Sequence, residues 1–524
     1  MSKSSLIQFP HSAVKRAVQK ARVDSPAVIN ARDSLPESTA HIDSYDQWKR
    51  AAIAADKAAG MADWRDIEES PLYDYEDIRS RRDKLRQLRK DHDDEGLLFS
   101  LNEGVHGNIG GMGNAKLYET ARFGTKTLIT EYIDAICDGL QHLAQCKSTG
   151  LSDAEKTDFF KRARACFGSS ALLLSGGGIY GNFHVGVIKA LREQDLLPSV
   201  MSGSSAGSLI ASIIGTHTAN ELDTVLNDKH LQIEAEYVEK MLRGPIKGLL
   251  PEFDIRQISR HIERVIPNLT FEEALQRTGI HINISVSPKE MNQLPRLLNA
   301  VTSPHVYVRS AVLASCSVPG VFPPAMLVAK NRNGKPSPYL PTRRWYDGSI
   351  SHDVPAKRLS RLYGVNHFIV SQVNPFALVL SRDHGKWLKP YSTLINIARQ
   401  LSLGIATTLQ DVFNDHGYRW TGVNFAINSL ASVLAQDYKG DINIMPDRGM
   451  VKPWRGMMTP SQKEMAEIIH AGERATWPKI EMIRNCTKIG RTLDTILAQR
   501  EGGPIAGRRI SDRALSSAKA RARA

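Results

Sequence analysis

The chain has 524 residues, of which 42% are hydrophobic and 23% are charged, and its formal net charge is +13. This length predicts two or three structural units, and the composition is ordinary for a globular protein with a large core. The five cysteines share no repeated spacing, which argues against a disulfide framework and a C-x-x-C metal site and favours a reducing compartment. The excess of positive charge favours anionic partners, either phospholipid headgroups or nucleic acid.

Both ends of the chain are predicted to be flexible. Residues 1–43 form a basic leader without the long apolar core of a secretory signal, and residues 501–524 form a basic tail rich in small residues. No apolar run reaches the length of about 18 residues that suggests a membrane-spanning helix. Between the ends, the pattern predicts a helical domain at 44–165, an α/β domain at 166–375 and a helical region at 376–500.

The predicted N-terminal domain combines helical periodicity with dense mixed charge, as in YEDIRSRRDKLRQLRKDHDDEG. A glycine-rich break interrupts it at Gly107, Gly110, Gly111 and Gly113. This break resembles a phosphate loop, but it lacks the G-K-[ST] ending and no clear strand precedes it. We therefore predict a loop packed against the next domain and not a nucleotide site.

Strands and helices alternate from Cys166 onward. The strands are predicted at Ala171–Leu174, Pro198–Ser202, 281–286, 344–346 and 367–373, and the helices at Gly181–Gln194, Ala206–Thr216 and Val308–Ser315. This alternation predicts an α/β sandwich with a mainly parallel sheet.

The predicted C-terminal helical region contains one strongly patterned segment, Tyr391–Phe413. An apolar stripe runs along it through Leu394, Ile397, Ala398, Leu401 and Ile405. Such a stripe is compatible with an interfacial or lid helix, and also with ordinary core packing, which is commoner.

A glycine-rich turn joins the first predicted strand to the first predicted helix, in LLLSGGGIYGNFHVGVIKAL. Its glycines are Gly176, Gly177, Gly178 and Gly181. The spacing matches G-x-G-x-x-G, but a dinucleotide site also needs an acidic residue at the end of the second strand. This chain has Ser202-Gly203-Ser204-Ser205-Ala206-Gly207-Ser208 there instead.

That second turn contains the pattern G-x-S-x-G, with Ser205 between Gly203 and Gly207. A serine on a sharp strand-to-helix turn requires glycine two residues before and after it, because side chains there would collide. The two glycine turns are expected side by side above the sheet. The N–H groups of Gly177 and Gly178 could then hold the oxyanion formed when Ser205 attacks an ester carbonyl.

A serine nucleophile needs a proton acceptor, and the residues alone leave its identity open. Five histidines follow Ser205, but none lies in a clear strand-end motif: His352, His367, His384, His416 and His470. Asp347 ends a short predicted strand and is followed by Gly348. This pair is either a plain Asp-Gly turn or the position of the base.

Four motifs, in this order and at these separations, resemble the patatin-like phospholipases: SGGGIYGNFHVGVIKAL, GSSAG, ASCSVPGVFPP and DGSISHDVP. The resemblance implies an α/β/α sandwich and a Ser–Asp dyad without histidine. Ser205 would be the nucleophile, Asp347 the base and Gly176–Gly181 the oxyanion loop. It implies no cofactor and no metal.

Several details resemble the triacylglycerol-lipase branch of yeast and plant oil bodies. Ser349 follows Asp347-Gly348 where many patatins have Gly or Ala, Tyr180 replaces a basic residue in the glycine loop, and His184 follows that loop. The N-terminal segments SYDQWKRAA, SPLYDYEDI and LYETARFGTK, with HFIVSQVNP and QDYKGDINIMP downstream, look like the same branch. The resemblance covers roughly 44–450.

The branch implies a triacylglycerol lipase, and a phospholipase A, a lysophospholipase or a lipid acyltransferase remains an alternative. A basic nucleic-acid-binding or scaffold protein is disfavoured, because no nucleic-acid-binding signature occurs and both dyad residues are present. We expect a cytoplasmic protein that associates peripherally with membranes or lipid droplets. The leader, the tail, the basic helices of 76–90 or the stripe of Tyr391–Phe413 could mediate this. His184 is expected to be a packing residue.

Overall fold

A computed structural model of the chain describes residues 42–147, 150–242, 246–247, 250–251, 255–290, 293–319, 321–349, 353–374, 378, 440–447, 450 and 461–501. The chain divides into two compact units. One lies within Met1–Gly150 and includes Arg484–Cys486, and the other lies within Leu151–Ile483 and Thr487–Ala524. The predicted leader, the predicted tail and the apolar stripe of Tyr391–Phe413 fall outside the described residues.

The first unit is helical, as the sequence predicts. Its helices are α1 Tyr45–Ala58, α2 Met61–Asp66, α3 Tyr75–Lys90, α4 Asp94–Gly104, α5 Ala115–Glu119 and α6 Thr127–Gln145. Side chains of Ser44, Asp74 and Asp93 accept the N–H groups of the first turns of α1, α3 and α4, which fixes where these helices begin. The glycine-rich break packs within this unit, where the Asp74 N–H donates to the Gly110 carbonyl at 2.7 Å.

The second unit holds the sheet. Its elements are α7 Asp153–Phe167, β1 Ser169–Leu174, α8 Asn182–Glu193, β2 Val200–Gly203, α9 Ala206–Thr216, α10 Ala219–Val225, α11 Asp228–Leu242, β3 Ile246–Lys247, β4 Leu250–Pro251, α12 Ile255–Val265, α13 Phe271–Thr278, β5 His281–Pro288, β6 Arg296–Leu298, α14 Val308–Ser315, β7 Leu327–Lys330, β8 Pro336–Tyr339, β9 Trp345–Asp347, α15 Ala356–Tyr363, β10 Val365–Ser371, β11 Ile442–Ile444, α16 Gln462–Thr476 and α17 Ile480–Glu501.

The central sheet has seven strands in the order β11-β10-β1-β2-β5-β6, and β9 also pairs with β5. Strands β11, β10, β1, β2 and β5 are parallel, whereas β6 and β9 run antiparallel to β5. Apolar side chains cover both faces. Leu173 and Val200 pack with Leu359 of α15 on one face, and Ile284 packs with Val312 of α14 on the other. This arrangement confirms the predicted α/β/α sandwich with a mainly parallel sheet.

Strand β11 was not predicted, because the sequence pattern placed Ile442–Ile444 in the C-terminal helical region. It pairs in parallel with β10. The later helix α16 crosses α8 closely, and two glycines permit this: a Cβ on Gly186 would lie 1.9 Å from the Ile469 carbonyl oxygen, and one on Gly472 would lie 2.1 Å from that of Phe183. Strand β11 and helix α16 therefore belong to the architecture of the second unit. Among the helices in the described ranges, none is long and apolar enough to cross a membrane.

Candidate active site

The turn between β2 and α9 holds Ser205 in a strained conformation. Its φ is 50° and its ψ is −124°, values that a residue with a side chain rarely adopts. The flanking glycines leave no space for side chains: a Cβ on Gly203 would lie 2.3 Å from the Gly207 carbonyl oxygen, and one on Gly207 would lie 2.2 Å from that of Leu174. This is the geometry that the G-x-S-x-G pattern predicts.

Ser315, the last residue of α14, anchors this turn. Its Oγ accepts the Ser205 N–H at 2.9 Å and donates to the Ser285 carbonyl of β5 at 2.8 Å. The turn is thereby tied to the neighbouring strand. The sequence carries no signal for this role of Ser315, because the role depends on the packing of α14 against the sheet.

Asp347 ends β9 and lies opposite Val286 of β5. Its side chain is buried, with an exposed fraction of 2%. One carboxylate oxygen, Oδ1, accepts the Ser349 N–H at 2.8 Å, and the Ser205 hydroxyl lies within hydrogen-bonding reach of the carboxylate. Gly348 packs directly on β5, since a Cβ there would lie 2.1 Å from the Ser285 carbonyl oxygen. The Asp-Gly pair is therefore a packed strand end that brings a carboxylate to Ser205.

Burial raises the pKa of Asp347 to about 6, and hydrogen bonds from Ser205 and Ser349 oppose this rise. At neutral pH the carboxylate is still ionised. A base with a pKa slightly below the working pH can accept a proton and return it later in the same cycle.

The four glycines of the loop after β1 have different contacts in the structure. The Gly176 N–H is already engaged, because it donates to Asp353 Oδ1 at 2.8 Å. Gly181 packs against the helix after the elbow, where an added Cβ would lie 2.6 Å from the Ala206 Cβ. Within the described residues, no acceptor takes the N–H groups of Gly177 and Gly178. These two groups are the ones free to hold an oxyanion.

A second buried carboxylate, Asp353, lies beside the dyad and was not singled out from the sequence, although it belongs to the motif DGSISHDVP. Its exposed fraction is 1%. Oδ1 accepts the Gly176 N–H and the Ser204 hydroxyl, and Oδ2 accepts the Asn374 amide at 3.1 Å. Burial raises the pKa of Asp353 to about 7, these hydrogen bonds lower it, and the nearby Asp347 raises it further.

No histidine contacts the dyad among the described residues. His184 is fully buried, with Nδ1 2.7 Å from the Ser371 Oγ and Nε2 2.9 Å from the Ser175 carbonyl oxygen. Burial lowers the pKa of His184 to about 4, so the ring is neutral and packs as expected. His367 contacts Ser170, and His470 contacts Glu473. His352, His384 and His416 lie outside the described residues.

A cysteine also lies near the dyad. Burial and the Asp347 carboxylate raise the pKa of the Cys316 thiol to about 12, so it is protonated at neutral pH and is a poor nucleophile.

In the part of the chain that the structure describes, no group of three or more His, Cys, Asp or Glu side chains could hold a metal ion.

The fold and the elbow define an α/β protein with a hydrolase-type serine, and comparisons with known proteins give its family. A family model described as patatin-like phospholipase matches residues 172–359, and one described as a domain of unknown function, DUF3336, matches residues 27–165. Triacylglycerol lipase ptl3 of Schizosaccharomyces pombe is 33% identical over 458 residues, which cover 84% of this chain and 92% of that protein. The chain belongs to the patatin-like phospholipase family.

Two budding-yeast proteins are similarly related. Triacylglycerol lipase 4 of Saccharomyces cerevisiae is 34% identical over 505 residues, covering 90% of this chain and 54% of that protein. Triacylglycerol lipase 5 of the same yeast is 33% identical over 485 residues, covering 86% and 63%. The chain thus spans between about half and two thirds of the length of these two relatives.

Proposed function

We propose that the chain is a serine lipid acyl hydrolase that uses Ser205 as nucleophile and Asp347 as base, and that its substrate is triacylglycerol. One observation carries the proposal: the Ser205 hydroxyl, on a strained elbow, lies within reach of a buried carboxylate and near a loop with two free N–H groups. The names of the fungal relatives support the choice of substrate.

In the acylation step, Asp347 accepts the Ser205 proton as Oγ bonds to the acyl carbonyl carbon. The carbonyl oxygen becomes an oxyanion and receives hydrogen bonds from the N–H groups of Gly177 and Gly178. When the carbon–oxygen bond to glycerol breaks, the departing alkoxide takes the proton from Asp347. The products of this step are an acyl-serine and a diacylglycerol.

Deacylation repeats these steps with water. Asp347 accepts a proton from the water that attacks the acyl carbonyl, the same N–H groups hold the second oxyanion, and the proton returns to Ser205 Oγ as the fatty acid departs. An alcohol in place of water would give an acyltransferase. The net charge of +13 favours one alternative substrate, an anionic phospholipid, and thus a phospholipase A or lysophospholipase.

The substrate is expected to be an aggregated lipid, so we infer that the protein binds peripherally to a lipid surface, either a membrane or a lipid droplet, from the cytoplasm. Reversible docking of this kind combines attraction between basic side chains and anionic lipid with insertion of apolar side chains.

The test is a hydrolysis panel of tri-, di- and phosphoglycerides with the wild type, Ser205→Ala and Ser212→Ala. Ser212 lies on the same helix, and its buried hydroxyl has no hydrogen-bond partner in the described structure, so its loss should be nearly neutral. We expect fatty-acid release from triacylglycerol by the wild type and Ser212→Ala but not by Ser205→Ala. Equal release by all three, or release only from phosphoglycerides, would overturn the proposal.

A further inference from the structure

A cluster of cations lies at the edge of the sheet where the candidate active site is. Strand β5 is parallel to β2, which precedes Ser205, so both strands end at the same edge. On β9, Trp345 lies opposite Pro288, the last residue of β5, and Asp347 lies two residues further along β9. Side chains just beyond Pro288 and just before Trp345 are therefore displaced from Asp347 by roughly 7 Å or more along the strand direction.

Short contacts join these residues into one surface. The Lys289 N–H donates to the Arg344 carbonyl at 3.0 Å, and the Arg358 guanidinium donates to the Pro295 carbonyl at 2.6 Å. The Arg343 guanidinium donates to the Gln293 side chain. We call this the edge surface and define it by Lys289, Leu294, Arg296, Arg343, Arg344 and Arg358. None of its five cations is paired with a carboxylate in the described part of the chain.

Leu294 lies between Gln293 and Pro295, the residues that accept hydrogen bonds from Arg343 and Arg358. It is 82% exposed, more than any other large hydrophobic side chain in the described ranges. An exposed leucine whose chain neighbours are bonded by guanidinium groups is complementary to a lipid surface, because the leucine can enter the acyl layer while the cations bind headgroup phosphates. Arg296, Arg358 and Arg361 also line an open cavity of about 350 Å³, and leucine side chains form much of the rest of its lining.

Helix α3 lacks unpaired arginines, although the basic sequence of residues 76–90 suggests it as a docking element. All five of its arginines form ion pairs with carboxylates of the same unit: Arg79, Arg81, Arg82, Arg86 and Arg89. Their charge is locally compensated, whereas the charge of the edge surface is not.

We propose that the edge surface docks the second unit on anionic lipid and so places the candidate active site at the lipid–water boundary. This inference rests on the proposed function, since a lipid hydrolase must bring its nucleophile to an aggregated substrate. The edge surface lies at the same end of the sheet as Asp347, so docking through it would orient the candidate active site toward the lipid.

The test is co-sedimentation with phosphatidylcholine vesicles that contain or lack phosphatidylserine. The variant Lys289→Gln/Arg343→Gln/Arg344→Gln should bind anionic vesicles about 10-fold or more weakly, and Leu294→Asn should weaken binding to both kinds of vesicle. The matched control Arg79→Gln/Arg86→Gln/Arg89→Gln removes the same charge from α3 and should bind like the wild type.

Hydrolysis of soluble p-nitrophenyl butyrate separates this inference from the proposed function. All variants should hydrolyse the soluble ester at the wild-type rate, because none of the substituted residues belongs to the dyad or the oxyanion loop. Undiminished binding of the edge-surface variant to anionic vesicles, or an equal loss in the α3 control, would overturn the inference. An inactive wild type would contradict the proposed function instead.

The Asp353 carboxylate joins three segments that each follow a parallel strand. Gly176 follows β1, Ser204 follows β2 and Asn374 follows β10, and each donates a hydrogen bond to this one side chain. The Gly176 backbone also lies against the nucleophile, because a Cβ on Gly176 would be 3.3 Å from the Ser205 Cβ. Any shift of Gly176 would move the next two N–H groups relative to Ser205.

We propose that Asp353 is a positioning residue that holds the oxyanion loop in register with the nucleophile elbow. A carboxylate suits this role because both of its oxygens accept hydrogen bonds. An amide at position 353 could accept from Gly176 and Ser204, but it would set its own NH₂ against the amide of Asn374. Loss of register should weaken interactions made in the transition state more than substrate binding, and so reduce kcat more than it raises KM.

The test uses p-nitrophenyl butyrate and a residue exchange. Asp353→Asn should lower kcat by about 10-fold or more, with KM within a few fold of the wild type. The double variant Asp353→Asn/Asn374→Asp should recover most of kcat, because the new amide at position 353 can then donate to the new carboxylate at position 374. The control Asp56→Asn alters a buried aspartate outside the second unit that accepts the Arg122 and Phe123 N–H groups, and it should retain the wild-type kcat.

Melting temperatures test whether each variant is folded. An unchanged kcat in Asp353→Asn would overturn the proposal, and so would a folded double variant that stays as impaired as Asp353→Asn. If Asp353→Asn does not fold, the kcat of the folded double variant alone tests the positioning role. An active wild type with an unimpaired Asp353→Asn contradicts only the positioning role, whereas an inactive wild type contradicts the proposed function.

Discussion

Two carboxylates, Asp347 and Asp353, are buried within one motif and have different surroundings. The Ser205 hydroxyl faces Asp347, whereas Asp353 accepts groups from the loops that carry the nucleophile and the free N–H groups. Burial raises the pKa of both carboxyl groups, so keeping either one ionised lowers the stability of the folded protein. Costly buried charges of this kind are typical of sites where function, and not stability, selects the residue.

Asp347→Asn should separate function from stability. It removes the proton acceptor but keeps the shape, so hydrolysis should fall by roughly 10² or more. The pKa of Asp347 is about 6 in the folded protein, against 3.8 for an unperturbed carboxyl. Between these two pH values, the folded protein keeps the proton on this group and the unfolded chain has lost it. Wild-type stability from this group is therefore highest below pH 3.8 and is lost as pH rises past about 6.

The same variant should consequently be more stable than the wild type at pH 8, by about 1–3 kcal/mol before lost hydrogen bonds are counted, with a smaller gain at pH 4.5. Thermal melts at the two pH values measure the difference. A variant that is active, or one that gains no more stability at pH 8 than at pH 4.5, would argue against an ionised Asp347 base.

The nucleophile elbow is a junction of four elements: β2, α9, α14 and β5. Its form was predictable from the sequence, because the spacing of Gly203 and Gly207 around Ser205 is a local requirement. The roles of Ser315 and Asn374 were not, since each depends on which segments lie side by side in the folded sheet. The antiparallel pairing of β9 was missed for the same reason, because three residues carry no signal of strand direction.

Gly207→Ala tests whether the elbow is as tight as the contacts indicate. The added methyl would lie 2.2 Å from the Leu174 carbonyl oxygen, so the turn must move or the protein must lose stability. We expect a loss of activity together with a lower melting temperature. Gly104→Ala is the matched control, because its added methyl would meet only ordinary contacts, at 3.4 Å from the Tyr132 hydroxyl. Equal behaviour of the two variants would contradict the packed elbow.

The whole molecule carries a net charge of +13, and the described part shows that cations differ in their availability. The arginines of α3 are paired with neighbouring carboxylates, whereas the cations of the edge surface are not paired in the described residues. Composition indicated an anionic partner but could not distinguish these two surfaces, because ion pairing between distant segments is set by the fold. The boundaries predicted at 43, 165, 375 and 500 stay predictions.

A salt series should separate the two components of lipid binding. Binding to anionic vesicles should weaken as ionic strength rises, because headgroup attraction is screened within a Debye length of about 10 Å at 0.1 M salt. Binding to neutral triglyceride droplets should persist, since apolar insertion depends little on salt. Failure of the protein to bind either anionic vesicles or triglyceride droplets at low salt would contradict peripheral docking. It would favour a hydrolase of small soluble esters.

If Ser205 is the nucleophile, it should react covalently with a reagent that is selective for activated serines. A fluorophosphonate probe reacts with an activated serine, and mass spectrometry of the digested protein identifies the modified residue. We expect one labelled site at Ser205, complete loss of labelling in Ser205→Ala, and labelling of Ser212→Ala at the wild-type rate. Equal labelling of Ser205→Ala and the wild type, or a label on another serine, would contradict this role of Ser205.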